Sequence, residues 1–153
     1  MFFVFIFILS LKYFLIADCG STATRISAYQ WDDTVASSDI FVINPDPPLS
    51  EPNSISIPLS SAVHDVNAIS NIFTPLLAWA KKAIPQDYHH NTSFEFYGTS
   101  SMRQLTASEQ KTIIKDTRTF LQNDGTFSID KYAGHVLTTQ EETVFLWIAM
   151  NTL

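Results

Sequence analysis

An α/β layer is the fold class this sequence predicts, and three observations carry it. Short strand-like runs take turns with longer stretches of helical spacing, polar turns follow directly on the strand ends, and no internal repeat, coiled-coil heptad or low-complexity tract offers another architecture. Open α/β sheets place their ligands beyond strand ends, so those turns are where chemistry is first sought. The 153 residues suffice for one domain with a real core. A 46% hydrophobic share with 16% charged residues argues against disorder of the chain as a whole.

The elements follow in order. From Met1 to Ala17 only Ser10 and Lys12 are polar, and the ten residues Phe2 to Leu11 suit the apolar region of a signal peptide. They are too few for an unaided membrane span of about 20 residues. Residues 1–11 are therefore read as a signal or membrane-targeting segment, with a buried strand extension as the other reading. Tyr13 to Ala17 is an apolar run that stops at Asp18-Cys19-Gly20-Ser21-Thr22, and Thr24 to Trp31 alternates, which reads as a hairpin. Asp39 to Ile43 is a candidate third strand. Asn44 to Pro58 holds five prolines and reads as a loop.

Ala62 to Ile84 has helical spacing through Val63, Val66, Ile69, Phe73, Leu77 and Ala80, with Pro75 expected to kink it or to start a second helix. Phe94 to Tyr97 is strand-like and runs into the polar stretch Gly98 to Arg103. Thr106-Ala107-Ser108-Glu109 is a capping box. Its helix carries Ile113, Ile114, Thr117, Phe120 and Leu121 on one face and stops at Asn123-Asp124-Gly125. Gly134 to Thr138 is a candidate last strand, and Glu141 to Leu153 begins a helix.

Charge and composition exclude several functions. With 15 acidic against 9 basic residues the net charge is -6, which argues against a partner that tracks nucleic-acid phosphates. One cysteine, Cys19, excludes an intrachain disulfide framework and a thiolate zinc cage. Four glycines leave little material for a Gly-rich Walker loop.

Three polar clusters remain. Asp18 to Arg25 delivers an acid into a Gly turn followed by hydroxyls and amides, which can cradle a phosphate while the acid faces a hydrated cation. The same residues also make an ordinary hairpin. Gly98 to Arg103 follows a strand, and its hydroxyls suit either a phosphate or metal-water shell or a solvated turn. Glu141 and Glu142 at a helix start stabilise the positive end of the dipole, and a carboxylate there can also take a proton from water. His89 and His90 read as solvated loop residues, and Trp31, Trp79 and Trp147 as core. Asn91-Thr92-Ser93 makes Asn91 a glycosylation acceptor in a lumenal or extracellular setting.

Together these clusters resemble the nucleoside triphosphate diphosphohydrolases (apyrases, ectonucleotidases) of the actin-like ATPase superfamily. Asp18 to Arg25 matches the family pattern D-A-G-S-[ST]-x-T-R, with Cys19 at the alanine. Gly98 to Arg103 matches A-T-A-G-M-R at Thr99, Met102 and Arg103. Thr138 to Leu153 matches S-G-x-[ED]-E-G-V-[FY]-x-W-[IV]-x-x-N-x-L at Glu142, Val144, Phe145, Trp147, Ile148, Asn151 and Leu153. The first motif alone would also admit sugar kinases or exopolyphosphatases.

The resemblance implies a ribonuclease-H-like (actin-like ATPase) lobe over residues 12–153, with a mixed sheet flanked by helices. It implies hydrolysis of the terminal phosphate of nucleoside di- and triphosphates. Gly20, Ser21, Thr22 and Ala23 would form the phosphate loop, and Asp18 and Thr99 would orient waters around Mg²⁺ or Ca²⁺. Glu142 would activate the attacking water, and Arg25 and Arg103 would hold the loops in shape. It further implies a secretory-lumen, cell-surface or secreted location, with membrane attachment through the first segment.

Departures from the family pattern carry expectations of their own. Ser101 stands at a glycine and is expected to crowd a close backbone approach. Thr143 stands at a glycine beside Glu142 and is expected to shift it. The family's second lobe, with another loop D-x-G-G-x-S, has no counterpart in these residues, so the lobe alone is expected to be a weak catalyst or a non-catalytic phosphate- or partner-binding remnant.

Overall fold

In the computed structural model, residues 11–32, 40–43, 45 and 48–151 are described. The targeting segment expected at the N-terminus lies outside the described residues except for Leu11, which opens the first strand. Strands β1 (Leu11–Cys19) and β2 (Thr24–Asp32) form the expected antiparallel hairpin, paired in register from Leu11 with Asp32 to Cys19 with Thr24. The third strand is short, β3 (Phe41–Val42), and lies on the outer side of β2. Asp39, expected in it, lies outside the described residues.

The proline-rich loop contains one feature that its composition concealed. Ser54–Ile55 forms a short strand, β4, antiparallel to β2 across Thr24 and Arg25. Its pairing is set by tertiary contact: the Ile26 amide donates to the Asn53 carbonyl, and the buried Thr24 Oγ1 donates to Ile57 O at 3.1 Å.

A 3-10 turn, Leu59–Val63, precedes helix α1 (Ala68–Ala83). The helix therefore begins six residues later than its spacing suggested, and Val66, expected on the buried face, is 91% exposed. The cause is local: the Asp65 carboxylate accepts the Asn67 amide just before the helix, and the Asn67 carbonyl accepts the first helical bond from Asn71. Pro75 sits inside one helix that runs on past it, because Ile72, Phe73, Leu76, Leu77, Trp79 and Ala80 keep a continuous buried stripe against the sheet.

A second 3-10 turn (Gln86–Asn91) leads into β5 (Ser93–Gly98), which pairs parallel to β1. The polar stretch after it folds into a single short turn, α2 (Ser100–Arg103). Helix α3 (Ala107–Asp124) has the expected capping box in both directions, Thr106 to the Glu109 amide and Glu109 back to the Thr106 amide. Gly125 ends it in the left-handed region at φ 69. Strand β6 (His135–Val136) lies parallel to β5, and α4 (Thr139–Asn151) follows.

The sheet order is thus β3-β2-β1-β5-β6, mixed, with β4 beside β2. Its core face carries Leu15, Ala17 and Cys19 from β1, Ile26 and Ala28 from β2, and Phe94 and Phe96 from β5, all buried. Phe73 of α1 packs edge-on to Phe96 with ring centroids 6.3 Å apart, and tilted to Phe94 at 6.4 Å. Ile113 and Leu121 bring α3 into the same core. Each of the leucine, isoleucine and phenylalanine side chains among these contributes about 1.5–3 kcal/mol on burial.

Helix α4 departs from this pattern. Val144, Phe145, Leu146, Trp147 and Met150 are exposed, Trp147 by 62%, so this tryptophan is not core as expected, whereas Trp79 is. His89 is also not a solvated loop residue: it is half-buried, its Nε2 hydrogen-bonds the Ile84 carbonyl at 2.9 Å, and its ring lies 5.1 Å from that of Phe127. Among the described residues no helix is long and apolar enough to cross a membrane.

Candidate active site

Parallel pairing puts the ends of β1, β5 and β6 side by side, and the three polar clusters converge there. Cys19 pairs with Gly98 and Gly98 with Val136, so the residues just beyond these strands are neighbours although they are far apart in the chain. The Thr99 amide donates to the Cys19 carbonyl at 3.2 Å, continuing the ladder one step past the strands, and Ser101 Oγ donates to the Gly20 carbonyl at 3.3 Å. Ser101 therefore does not crowd the first loop. It ties the second loop to it.

Gly98 has its own steric reason. A Cβ there would come within 2.7 Å of Met102 Cγ and 2.9 Å of its Cβ, because the α2 turn folds Met102 back over the strand end. That close approach is what brings Thr99 and Ser101 onto the β1 turn. In the first loop, the Gly20 amide donates to the Ala23 carbonyl at 2.9 Å, so it closes the turn and is not free for a ligand. Ser21 and Thr22 at the tip are exposed. Cys19 points into the core, where burial pushes its thiol pKa far up, so it is a packing residue rather than a nucleophile.

Asp18 lies on the opposite face of β1 from Cys19, as strand alternation requires. It shares a cavity of about 370 Å³ with Ile16, Tyr97, Thr99, Leu137, Glu142 and Phe145. Burial raises the Asp18 carboxyl pKa above its ordinary value, the Arg25 guanidinium opposes that, and the Glu142 charge adds to it. Two carboxylates thus face one small cavity and repel each other, a donor set that favours a cation between or beside them. Among the described residues no three His, Cys, Asp or Glu side chains are grouped closely enough to chelate a metal directly. A cation held through its water shell fits Asp18 and Thr99 better than one held by bare side-chain ligands.

Glu142 is positioned by two separate devices. The first is a second capping box, Thr138-Thr139-Gln140-Glu141: Thr138 Oγ1 accepts the Glu141 amide at 3.2 Å, and Glu141 Oε2 accepts the Thr138 amide at 2.8 Å. This fixes the start of α4 and spends Glu141 on structure, leaving Glu142 to face the cavity. The second is Arg103, whose Nη1 donates to the Leu137 carbonyl at 3.0 Å and to Glu142 Oε2 at 2.7 Å. One guanidinium nitrogen therefore joins α2, the end of β6 and α4. Thr143 leaves Glu142 alone: its hydroxyl bonds back to the Thr139 carbonyl at 2.8 Å on the exposed side of the helix.

The site residues expected from the sequence fall into two groups. Asp18, Thr99 and Glu142 share the cavity, and Gly20 to Ala23 form the adjoining turn. Arg25 stands opposite Asp18 in the hairpin register and is exposed. Asn91 is exposed at the end of the second 3-10 turn, away from these strand ends. Tyr97, Leu137 and Phe145 were not anticipated as lining. Tyr97 pairs with Asp18 across the β1–β5 ladder, and an aromatic two residues before a polar strand end is the only trace of that in the sequence.

Comparison with known proteins gives the fold and the family. Among solved structures, the nucleoside triphosphate hydrolases of Neospora caninum superpose with a TM-score of 0.57 at 9% identity, over 94% of this chain and 31% of that one. A Ppx/GppA family member of Aquifex aeolicus gives 0.56 at 13%, over 91% and 39%. At those identities the likeness is one of fold, an actin-like ATPase lobe.

In sequence, the guanosine-diphosphatase of Schizosaccharomyces pombe is 31% identical over 144 residues, 93% of this chain and 24% of that protein. The apyrase of Solanum tuberosum is 28% identical over 147 residues, 92% and 30%. The chain thus spans 24% and 30% of the length of these two curated relatives. The family model for nucleoside phosphatases matches residues 9–153, nearly the whole chain and all three polar clusters. With motifs, fold and cavity in agreement, the chain belongs to the GDA1/CD39 (nucleoside phosphatase) family.

Proposed function

We propose that this lobe contributes the water-activating half of a site that hydrolyses the terminal phosphate of nucleoside di- and triphosphates. The observation that carries the proposal is that Asp18, Thr99 and Glu142 share one cavity at the ends of parallel strands, with Glu142 held by Arg103. In this reading the hydroxyls and free amides of Ser21, Thr22 and Ala23 hold phosphate oxygens. Asp18 and Thr99 would hold Mg²⁺ or Ca²⁺ through its water shell, and the cation would neutralise charge on the phosphate chain. Glu142 takes a proton from a water aligned with the terminal phosphorus. The new P–O bond forms as the bond to the bridging oxygen breaks, releasing orthophosphate and the shortened nucleotide. Such a reaction rests on positioning and charge stabilisation, so loops tied together by Thr99, Ser101 and Arg103 are the hardware it requires.

A second lobe is part of the same proposal. The apolar exposure of α4 and the greater length of the relatives support seating that lobe against Phe145, Trp147 and Met150. A secretory or cell-surface setting, with residues 1–11 as the targeting segment and Asn91 as a glycan acceptor, goes with it. The test is Glu142→Gln in the chain joined to a complete relative's remaining length, with phosphate release from ATP, ADP and GDP measured with added Mg²⁺ or Ca²⁺. A fall in kcat of at least about 10²-fold is expected. Turnover within threefold of the unmodified chimera would remove Glu142 as the base.

A further inference from the structure

We propose that the groove between α3 and the open edge of β6 binds a linear polyphosphate chain, at a place separate from the active-site cavity. The groove has a volume of about 550 Å³. Lys111, Lys115 and Arg118 line it from α3, and His135 lines it from β6. On a helix the three firm cations recur at i, i+4 and i+7, so they share one face over about 10 Å of axis. A di- or triphosphate chain spans that row, whereas a single orthophosphate meets only part of it.

The charge there runs against the rest of the molecule. The chain carries -6 overall, yet no acidic residue lines the groove. Of the three acids of α3, Glu109 and Asp116 line a different cleft, against Ala62 and Val63, and Asp124 at the far end is paired with Lys81. Among the described residues Lys111 and Lys115 form no ion pair, while Lys81 and Lys82 of α1 are each paired with a carboxylate. Arg118 Nε donates to the Ala133 carbonyl at 2.7 Å, which fixes the guanidinium and leaves its remaining N–H donors for a ligand. Two acids touch the groove's lining from outside it: Glu95, whose Oε2 accepts the Gly134 amide at 3.4 Å, and Glu141, whose Oε2 lies 3.4 Å from His135 Nε2 and is already taken by Thr138. Unpaired cations gathered in a concave site of an acidic protein act as an anion trap.

β6 separates this groove from the active-site cavity: His135 and Val136 line the first, Leu137 the second. The chain carrying Glu142→Gln is titrated calorimetrically in EDTA with tripolyphosphate and, separately, with ATP. Both should bind, with affinity falling steeply as salt is raised. Lys111→Gln with Lys115→Gln should weaken each at least tenfold, and Lys81→Gln with Lys82→Gln, which removes the same charge elsewhere, should leave binding within twofold. Equal affinity for the two ligands assigns the site to the phosphate chain alone, and tighter binding of ATP adds a nucleoside contact. Absence of binding, or equal loss in both double variants while circular dichroism shows each folded, overturns the proposal.

Discussion

Replacing Gly134 with alanine tests how the core supports the active site. Gly134 has φ 91, and a Cβ there would lie 2.2 Å from Phe96 Cζ and 2.6 Å from its Cε2. Carbon atoms in contact prefer about 3.5–4.0 Å, so the ring must retreat by more than about 1 Å. It has nowhere to go: Phe96 is fully buried and packs against Phe73. The left-handed backbone costs an alanine about 1–2 kcal/mol. Overpacking the ring adds about 1–3 kcal/mol. The total of about 2–5 kcal/mol is a large part of the stability of an ordinary domain.

Gly125 supplies the control. It too is left-handed, at φ 69, but the nearest atom a Cβ would meet is Gln122 O at 4.0 Å, so only the backbone contribution remains. Urea unfolding followed by circular dichroism should show Gly134→Ala shifted well below Gly125→Ala. With a slope of about 1–3 kcal/mol/M the gap is readily measured. Equal midpoints for the two variants would refute the assignment of Gly134 to steric contact with Phe96.

Three other outcomes are expected. Asp18→Asn should stabilise the fold slightly at neutral pH, by under about 1 kcal/mol at this partly exposed site. The sign follows from the raised carboxyl pKa. Stability linked to Asp18 is present below the ordinary carboxylate value of 3.8 and is lost as pH rises through the higher folded value, so pH-dependent unfolding of the two chains should diverge above that window. Thr117→Val should raise stability by about 1 kcal/mol, since the buried Thr117 hydroxyl has no hydrogen-bond partner among the described residues. A lower denaturation midpoint would count against it. Arg103→Met removes donors to Leu137 O and Glu142, and should destabilise by about 1 kcal/mol after allowance for exposure. In the chimera with a relative's remaining length, it should lower kcat more than it raises KM if the proposed role of Glu142 holds, with Arg103→Lys restoring part of the loss.

Elements whose signals are local were legible in the sequence. The β1–β2 hairpin follows from alternation around a Gly turn, and both ends of α3 from a capping box and a left-handed glycine. The capping box Thr138-Thr139-Gln140-Glu141 is equally local, but its Glu141 stands beside Glu142, so the pair reads as chemistry as readily as it reads as a cap. Strand β4 carries no strand signal of its own, because its pairing is imposed by Thr24 and Ile26 of β2. Val66 has the right spacing for the buried face of α1, but the Asp65–Asn67 turn ends the pattern before the helix begins. The Arg103–Glu142 pair joins residues 39 positions apart and leaves no periodic trace. Motif resemblance supplied Glu142, and only the folded geometry supplied its partner.

The bond from Ser101 to Gly20 joins residues 81 positions apart, and the Thr99 hydroxyl reaches Cys19 across 80. Closing a loop of that length costs about 4 kcal/mol in chain entropy before any contact rewards it. The two loops therefore cannot preassemble on a half-formed chain; they meet only when β5 has zipped alongside β1 over the packed α1. Building the cavity and completing the fold are a single cooperative event. A nascent or partly unfolded chain would hold no assembled cavity, and hydrogen exchange at the Thr99 amide should report opening of the whole sheet rather than fraying of a surface turn.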